Sequence, residues 1–466
     1  MSFLNWLLVS VALLGAIWWT FARSRHPLAL EVVSVCAFLL AIATVAVEGA
    51  QWQLLPWQAL ALVELVLVGL RRWRPGPTRP WQRLTERGFL LAVVLLGAWA
   101  LLWAITPTLP TPGGPYHVGT EVFHWTDTSR HEPWGRTSEY RQVVAQAWYP
   151  TSATRGRMAP YFEETGELPE MGGIPEFVFS HNFDGVLTHG FVGAAVSDAR
   201  PRWPVLIFSP ALEVPREMYT ALCTQVASRG YVVMALNSTY ESAVTTLANG
   251  EVVESAFPKS PSEQQLYELT KTRAADAGFV LDQLERLDAV APRSPLVGHL
   301  DLAHVGMFGH SIGGAATIQA LAEDPRLRVG INLNGSLWGS QPKERLTRPL
   351  LWIESGERPS REEKAGREAL LSGLTAGGTL LAIKHTLHMS FSDEPAYVTS
   401  LGRAIWGGRG GMGRTSLEAM TTMTSELIAA FAGPHLGVSG GPTVAQVLAA
   451  HSALEVQREV GVPSSS

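Results

Sequence analysis

Four long apolar runs fill the first part of the chain, at residues 3–21, 28–47, 54–70 and 89–105. Each is close to the roughly 17 to 25 residues that a bilayer-spanning helix needs, so the pattern predicts an N-terminal four-helix transmembrane region over residues 1–110. Two runs contain a carboxylate, Glu31 and Glu64. A charge in hydrocarbon is costly, so both are expected to face neighbouring helices or lie near the interface, as structural polar contacts before any transport role.

The period changes after the Pro/Gly-rich stretch TPTLPTPGGP at 106–115. Residues 141–149 alternate like an antiparallel strand, and short apolar runs at 205–208, 231–236, 304–308, 329–333, 350–353 and 380–383 suit buried parallel strands. Helical patterns lie between and after them at 217–229, 262–287, 312–323, 361–371, 416–431 and 444–456, while WGGRGGMG at 406–413 reads as a loop. Strands alternating with helices predict an α/β domain over residues 111–466, with a mostly parallel central sheet flanked by helices. Such sheets carry their chemistry at the carboxyl ends of the strands.

Charge gives the membrane region an orientation. Arg23 and Arg25 follow the first run; Arg71, Arg72, Arg74, Arg79, Arg83 and Arg87 separate the third from the fourth, and residues 48–53 contain no arginine. By the positive-inside rule the basic loops are cytoplasmic, which puts the N-terminus and the large domain outside. A cleaved signal peptide is disfavoured, because nothing basic precedes the first run and three more follow. The formal net charge of -5 argues against a nucleic-acid partner, and the arginine cluster is broken by Pro75, Pro77 and Pro80. Two cysteines, Cys36 and Cys223, exclude a disulfide framework, and no histidine or cysteine spacing suggests metal ligands, so neither metal nor cofactor is expected.

The candidate chemistry centres on a serine. Gly309-His310-Ser311-Ile312-Gly313 fits G-x-S-x-G, in which small residues flank a serine on a strained strand-to-helix turn. The strand candidate HVGMF precedes it and the helix candidate IGGAATIQALAEDP follows. A second match, Gly437-Val438-Ser439-Gly440-Gly441, follows no strand and runs into Pro442. A serine needs a histidine to take its proton and an orienting group behind that histidine. In the usual chain order the histidine comes last, which selects His388, after the strand ending near Lys384, with His385 its near rival. His310 is expected to pack or position the elbow, and His435 and His451 have no strand end beside them.

From about residue 114 to 458 the chain resembles the plasma and type II platelet-activating-factor acetylhydrolase family of the α/β-hydrolase superfamily, as a bacterial-type, membrane-anchored member. The similarity rests on WYPT at 148–151, THGFVGAAVS at 188–197, PVLIFSPAL at 204–212, HVGMFGHSIGGAATIQALAEDPRLRVGINLN at 304–334 and HMSFSD at 388–393, in family order and spacing. The resemblance implies Ser311 as nucleophile, His388 as general base and then acid, and an oxyanion hole from the backbone N–H groups of Leu212 and Ile312.

Two departures stand out. Pro210-Ala211 replace the family's His-Gly before the oxyanion leucine, with Glu213 where a second glycine is common. Proline has no N–H, but the required donor is on Leu212. The family's triad aspartate falls at Asn334, which has no charge to stabilise an imidazolium. Three readings follow: Glu354, at the end of the next strand, replaces the acid, with Glu357 a weaker candidate; Asn334 itself serves at reduced rate; or catalysis is lost. Deamidation of Asn334-Gly335 to aspartate is a fourth route.

The chain is therefore expected to be a membrane-anchored serine esterase acting on short acyl esters, and by resemblance on sn-2 acyl groups of modified phospholipids. A broad carboxylesterase for small or polymeric esters is the enzymatic alternative, and a catalytically silent binding module the non-enzymatic one.

Overall fold

The structure, a computed structural model, describes all residues except 1, 22–26, 74–78, 104–105, 164–182, 184, 339–345, 408–410 and 462–466. The chain divides into two compact units. One comprises the N-terminal residues to Pro107, with later pieces at Phe183, Gly185 and Tyr397–Gly402; the other contains nearly all the rest.

In the N-terminal unit, helices α1 (Phe3–Phe21), α2 (Pro27–Glu48), α3 (Leu55–Trp73) and α4 (Pro80–Ala100) bury Leu8, Ala12, Trp19, Leu30, Ala37, Trp57, Leu60 and Leu90 against one another. Their outer faces are apolar too, with Leu14, Leu39, Leu62 and Leu95 exposed. Helices that are hydrophobic all round suit a lipid environment, not a soluble bundle. Three segments, Phe3–Phe21, Leu28–Glu48 and Trp52–Trp73, are long and apolar enough to cross a membrane. The last of the four expected runs is less apolar as a helix than the other three. Its helix begins nine residues earlier than the apolar run, at Pro80, so that Arg83, Glu86 and Arg87 occupy its first turns, and it ends at Ala100. The two carboxylates find protein neighbours. Glu31 pairs with Arg72 at 3.1 Å, and Glu64 is buried against Gly15.

Among the described residues the second unit is built on a ten-stranded sheet, beside a separate hairpin of β6 (Val244–Thr246) and β7 (Val252–Glu254). Its parallel centre consists of β5 (Val232–Ser238), β4 (Trp203–Ser209), β8 (Leu300–His310), β9 (Leu327–Leu333), β10 (Leu350–Glu354) and β11 (Gly378–Ile383). β2 (Tyr140–Thr151) pairs antiparallel with both β5 and β1 (His117–His131), and β3 (Gly190–Val192) closes that edge. β4 and β5 are buried throughout because every side chain faces packed helix or neighbouring strand, which explains why they read as continuous apolar runs and not as alternation. Ile207, Met234 and Met307 from the sheet meet Val280 and Leu281 of α6 (Glu263–Glu285) and Ile318 and Leu321 of α7 (Ile312–Glu323) in the main core, each contributing about 1.5 to 3 kcal/mol by burial. Helices α5 (Thr220–Ala227), α8 (Arg361–Ser372) and α9 (Leu417–Ala432) fall on predicted helical stretches. The final expected helix, 444–456, is corrected. It stops at Ala450 as α10 (Val444–Ala450), and Leu454–Val460 forms β12, antiparallel to β11. The polar, β-branched alternation of LEVQREV suits an edge strand better than a helix face.

Candidate active site

Ser311 lies between the end of β8 and the first turn of α7 with φ 57° and ψ −124°, a backbone conformation that side-chain-bearing residues rarely adopt. The flanking glycines are required by space. A Cβ on Gly309 would strike the carbonyl of Gly313, and one on Gly313 would strike the carbonyl of Ser209. The turn is held by Ser311 N–H donating to Leu333 O at 2.9 Å, and the hydroxyl is left at the carboxyl end of the sheet.

His388 opens a short helical turn (His388–Phe391) after β11 and brings Nε2 to 3.0 Å from Ser311 Oγ. Burial holds its imidazole below the ordinary histidine range, against the opposing charges of Glu357 and Glu363. His385, the rival, is exposed and has no bond to the serine.

Asn334 follows β9 with φ 51°, and its Nδ2 lies 2.6 Å from His388 Nδ1 while its Oδ1 accepts from the Ser355 backbone N–H at 2.9 Å. Glu354 is elsewhere occupied. Its carboxylate is ion-paired with Arg367 of α8, and neither it nor Glu357, which accepts from the Ser355 hydroxyl at 3.0 Å, bonds to His388. Of the candidate orienting residues, the fold therefore brings Asn334 to the imidazole and leaves the two glutamates on the cavity wall. That cavity, about 400 Å³, is lined by Ser311, Asn334, Trp338, Trp352, Glu354, Arg358, Glu363 and His388.

A platelet-activating factor acetylhydrolase, isoform II, family profile matches residues 108–439, most of the chain. The chain belongs to this family.

Two relatives and one solved structure agree with that membership. The chain is 24% identical over 317 residues to a probable 1-alkyl-2-acetylglycerophosphocholine esterase of Arthroderma benhamiae, covering 63% of this chain and 78% of that protein. It is 24% identical over 363 residues to the platelet-activating factor acetylhydrolase of Cavia porcellus, covering 71% and 78%. A ferulic acid esterase from Streptomyces cinnamoneus superposes with a TM-score of 0.65 at 29% identity, covering 76% of this chain and 99% of the esterase. The acetylhydrolase-family chain is thus a carboxylic-ester hydrolase with an α/β sheet.

The 210–213 segment of this acetylhydrolase-family member, where the resemblance implies an oxyanion donor, is firmly fixed. Neither the Leu212 nor the Ile312 N–H donates to an acceptor among the described residues. Glu213 takes φ 60° at the position where glycine is common, and its N–H and C=O pair with Glu241 O and Ala243 N. Ala211 N–H donates to Tyr219 Oη at 3.2 Å, Tyr219 Oη lies 2.7 Å from His310 Nδ1, and Arg273 Nη1 donates to Pro210 O at 2.5 Å. His310 is fully buried, and burial together with nearby His388 keeps it well below the ordinary range, so Tyr219 meets a neutral acceptor.

Arg273 in turn belongs to a buried ion network that sequence reasoning missed. Arg273 Nε meets Glu241 at 3.0 Å; Arg141 meets Glu132 at 2.9 Å, Glu241 at 3.0 Å and Asp276 at 2.7 Å; and Arg130 joins Asp276 at 2.9 Å. Burial alone would raise Asp276, but Arg141 and Arg130 hold it below the usual carboxylate range, while Glu132 is pushed up to about 7 by burial. A legible signal existed. Arg273 and Asp276 stand on the same face of α6 as Leu269, Ala277 and Val280, where an amphipathic helix should be apolar.

Proposed function

We propose that this chain is a membrane-anchored α/β-hydrolase that cleaves short acyl esters through an acyl-Ser311 intermediate. The observation that carries the reading is the 3.0 Å contact of His388 Nε2 with Ser311 Oγ on the strained elbow. In the first half-reaction Ser311 Oγ bonds to the ester carbonyl carbon, its proton passes to His388 Nε2 and then to the departing alkoxide. In the second, water repeats the attack and Ser311 leaves with the proton. Leu212 and Ile312 N–H groups receive the oxyanion, where each donor is worth about 10² to 10³ in rate.

The cavity of about 400 Å³ suits a small acyl ester, and the relatives' names make the 2-acetyl group of an alkyl glycerophosphocholine the leading substrate class. The ferulic acid esterase supports a broad carboxylesterase as the second reading. The anchor is residues 1–110 and the hydrolase residues 111–466. In this reading helix α4 is the fourth span, with Arg83, Glu86 and Arg87 at the cytoplasmic interface, and the positive-inside rule supports a hydrolase on the outer side of the membrane.

The test is covalent labelling of the full-length protein in detergent by a fluorophosphonate, with hydrolysis of nitrophenyl acetate measured in parallel. Labelling confined to Ser311, and its loss together with hydrolysis in Ser311→Ala, is the expected result. Absence of labelling in folded protein refutes the reading.

A further inference from the structure

The two ends of the Asn334 amide are not interchangeable. The Ser355 backbone N–H can only donate, so the Asn334 atom 2.9 Å from it is the oxygen. Nδ2 then directs a hydrogen at His388 Nδ1, 2.6 Å away. Nδ1 must accept, and the single proton of the neutral imidazole therefore sits on Nε2, facing Ser311 Oγ. A ring nitrogen that carries hydrogen has no lone pair with which to take the serine proton.

Both ways out meet a clash of donors. Moving the imidazole proton to Nδ1 sets N–H against N–H across 2.6 Å, and flipping the amide sets Nδ2 against the Ser355 N–H. Backbone adjustment is restrained, because Asn334 N–H donates to Ile353 O at 2.7 Å and Gly335 N–H donates to Asn332 Oδ1 at 2.7 Å. A carboxylate at position 334 would accept from Ser355 and His388 at once.

We infer that Asn334, oriented by the Ser355 N–H, holds His388 mainly in the tautomer protonated on Nε2, so that Ser311 gives up its proton only through the rare Nδ1–H form, and that residue 334 sets the turnover of this hydrolase. The inference rests on the proposed roles of Ser311 and His388. It makes Asn334→Asp a gain-of-function substitution. In a serine protease the opposite change, aspartate to asparagine, lowers turnover about 10⁴-fold for the same tautomeric reason. Deamidation would release the lock as well: Gly335 N bonds to Asn334 Cγ as ammonia leaves, and water opens the succinimide. The bond from Gly335 N–H to Asn332 holds that nitrogen away from the attack.

The experiment compares full-length wild type, Asn334→Asp and Asn334→Asp/Ser311→Ala in detergent on nitrophenyl acetate, with peptide mass spectra confirming that residue 334 of the wild type is still an amide. A rise in kcat of about 10² to 10⁴ for Asn334→Asp, lost again in the double variant, is expected. The new carboxylate also raises the His388 pKa, so the acid limb of the pH–rate profile moves to higher pH. Turnover in folded Asn334→Asp at or below the wild-type level, with wild-type turnover lost in Ser311→Ala, overturns the lock and leaves the hydrolase reading standing. No turnover and no fluorophosphonate labelling in either protein overturns both. A second measurement needs no variant to fold differently: NMR of nitrogen-labelled histidine in the wild type should find the His388 proton on Nε2, and finding it on Nδ1 overturns the lock.

Discussion

The loops after β4 and after β9 approach Ser311 from two sides, and they treat charge in opposite ways. Beneath the first, arginines and carboxylates lie buried and paired, and Arg273 hands one hydrogen bond from that network to Pro210 O. Beside the second, the residue in contact with His388 Nδ1 is an amide, and the nearest carboxylates, Glu357 and Glu363, act on the imidazole without bonding to it. Buried ion pairing thus holds the loop after β4, while no carboxylate bonds to the imidazole among the described residues. The lesson is that rigidity of a site and its charge complementarity are separable: the loop after β4 has the first, and the contact of Asn334 with His388 lacks the second.

The largest effect that would break this contrast is on stability. Arg141→Leu leaves Glu132, Glu241 and Asp276 without their shared cation, and removal of one partner from a buried ion network costs about 3 to 5 kcal/mol. A chemical-denaturation midpoint that stays at the wild-type value would show that the network carries no load. Next comes Tyr219→Phe, which strips the acceptor from Ala211 N–H and the partner from His310. An unpaired buried group costs about 1 to 3 kcal/mol, and if that cost falls on the transition state, a loss of about 5- to 150-fold in kcat with little change in KM is expected. Unchanged kcat would free the oxyanion loop from dependence on Tyr219. Smallest is Glu354→Gln. Because that carboxylate faces Arg367 and not the imidazole, steady-state kinetics should show kcat within about threefold of wild type, far below the ~10⁴ that removing a true orienting acid produces. A loss of that larger size would transfer the acid role to Glu354 and dissolve the contrast.

The elbow was legible in the sequence because its demands are local. Gly309, Ser311 and Gly313 answer steric needs within a few residues, and the strand and helix on either side announce themselves by period. The central strands were equally plain, since burial on both faces leaves uninterrupted apolar runs. Asn334 and Glu354, by contrast, both stand at strand ends, and nothing in spacing separates them. What decides is Arg367, one helix away, which takes Glu354 out of reach. Tyr219 and Arg273 were missed for a related reason: each acts on a backbone atom of the Pro210-Ala211 segment, and backbone partners leave no residue-type signature. The first three residues of β12 fall inside the helix predicted over 444–456, because a short strand at a sheet edge needs a neighbour to declare its period.

The elbow also stores strain. Holding serine at φ 57° sacrifices on the order of 1 kcal/mol that a glycine at position 311 would recover. Any other residue with a Cβ at position 311 would carry the same strain, so glycine alone would relieve it. The serine is nonetheless held in this posture, at a strain that packing alone does not require and that a projecting hydroxyl does.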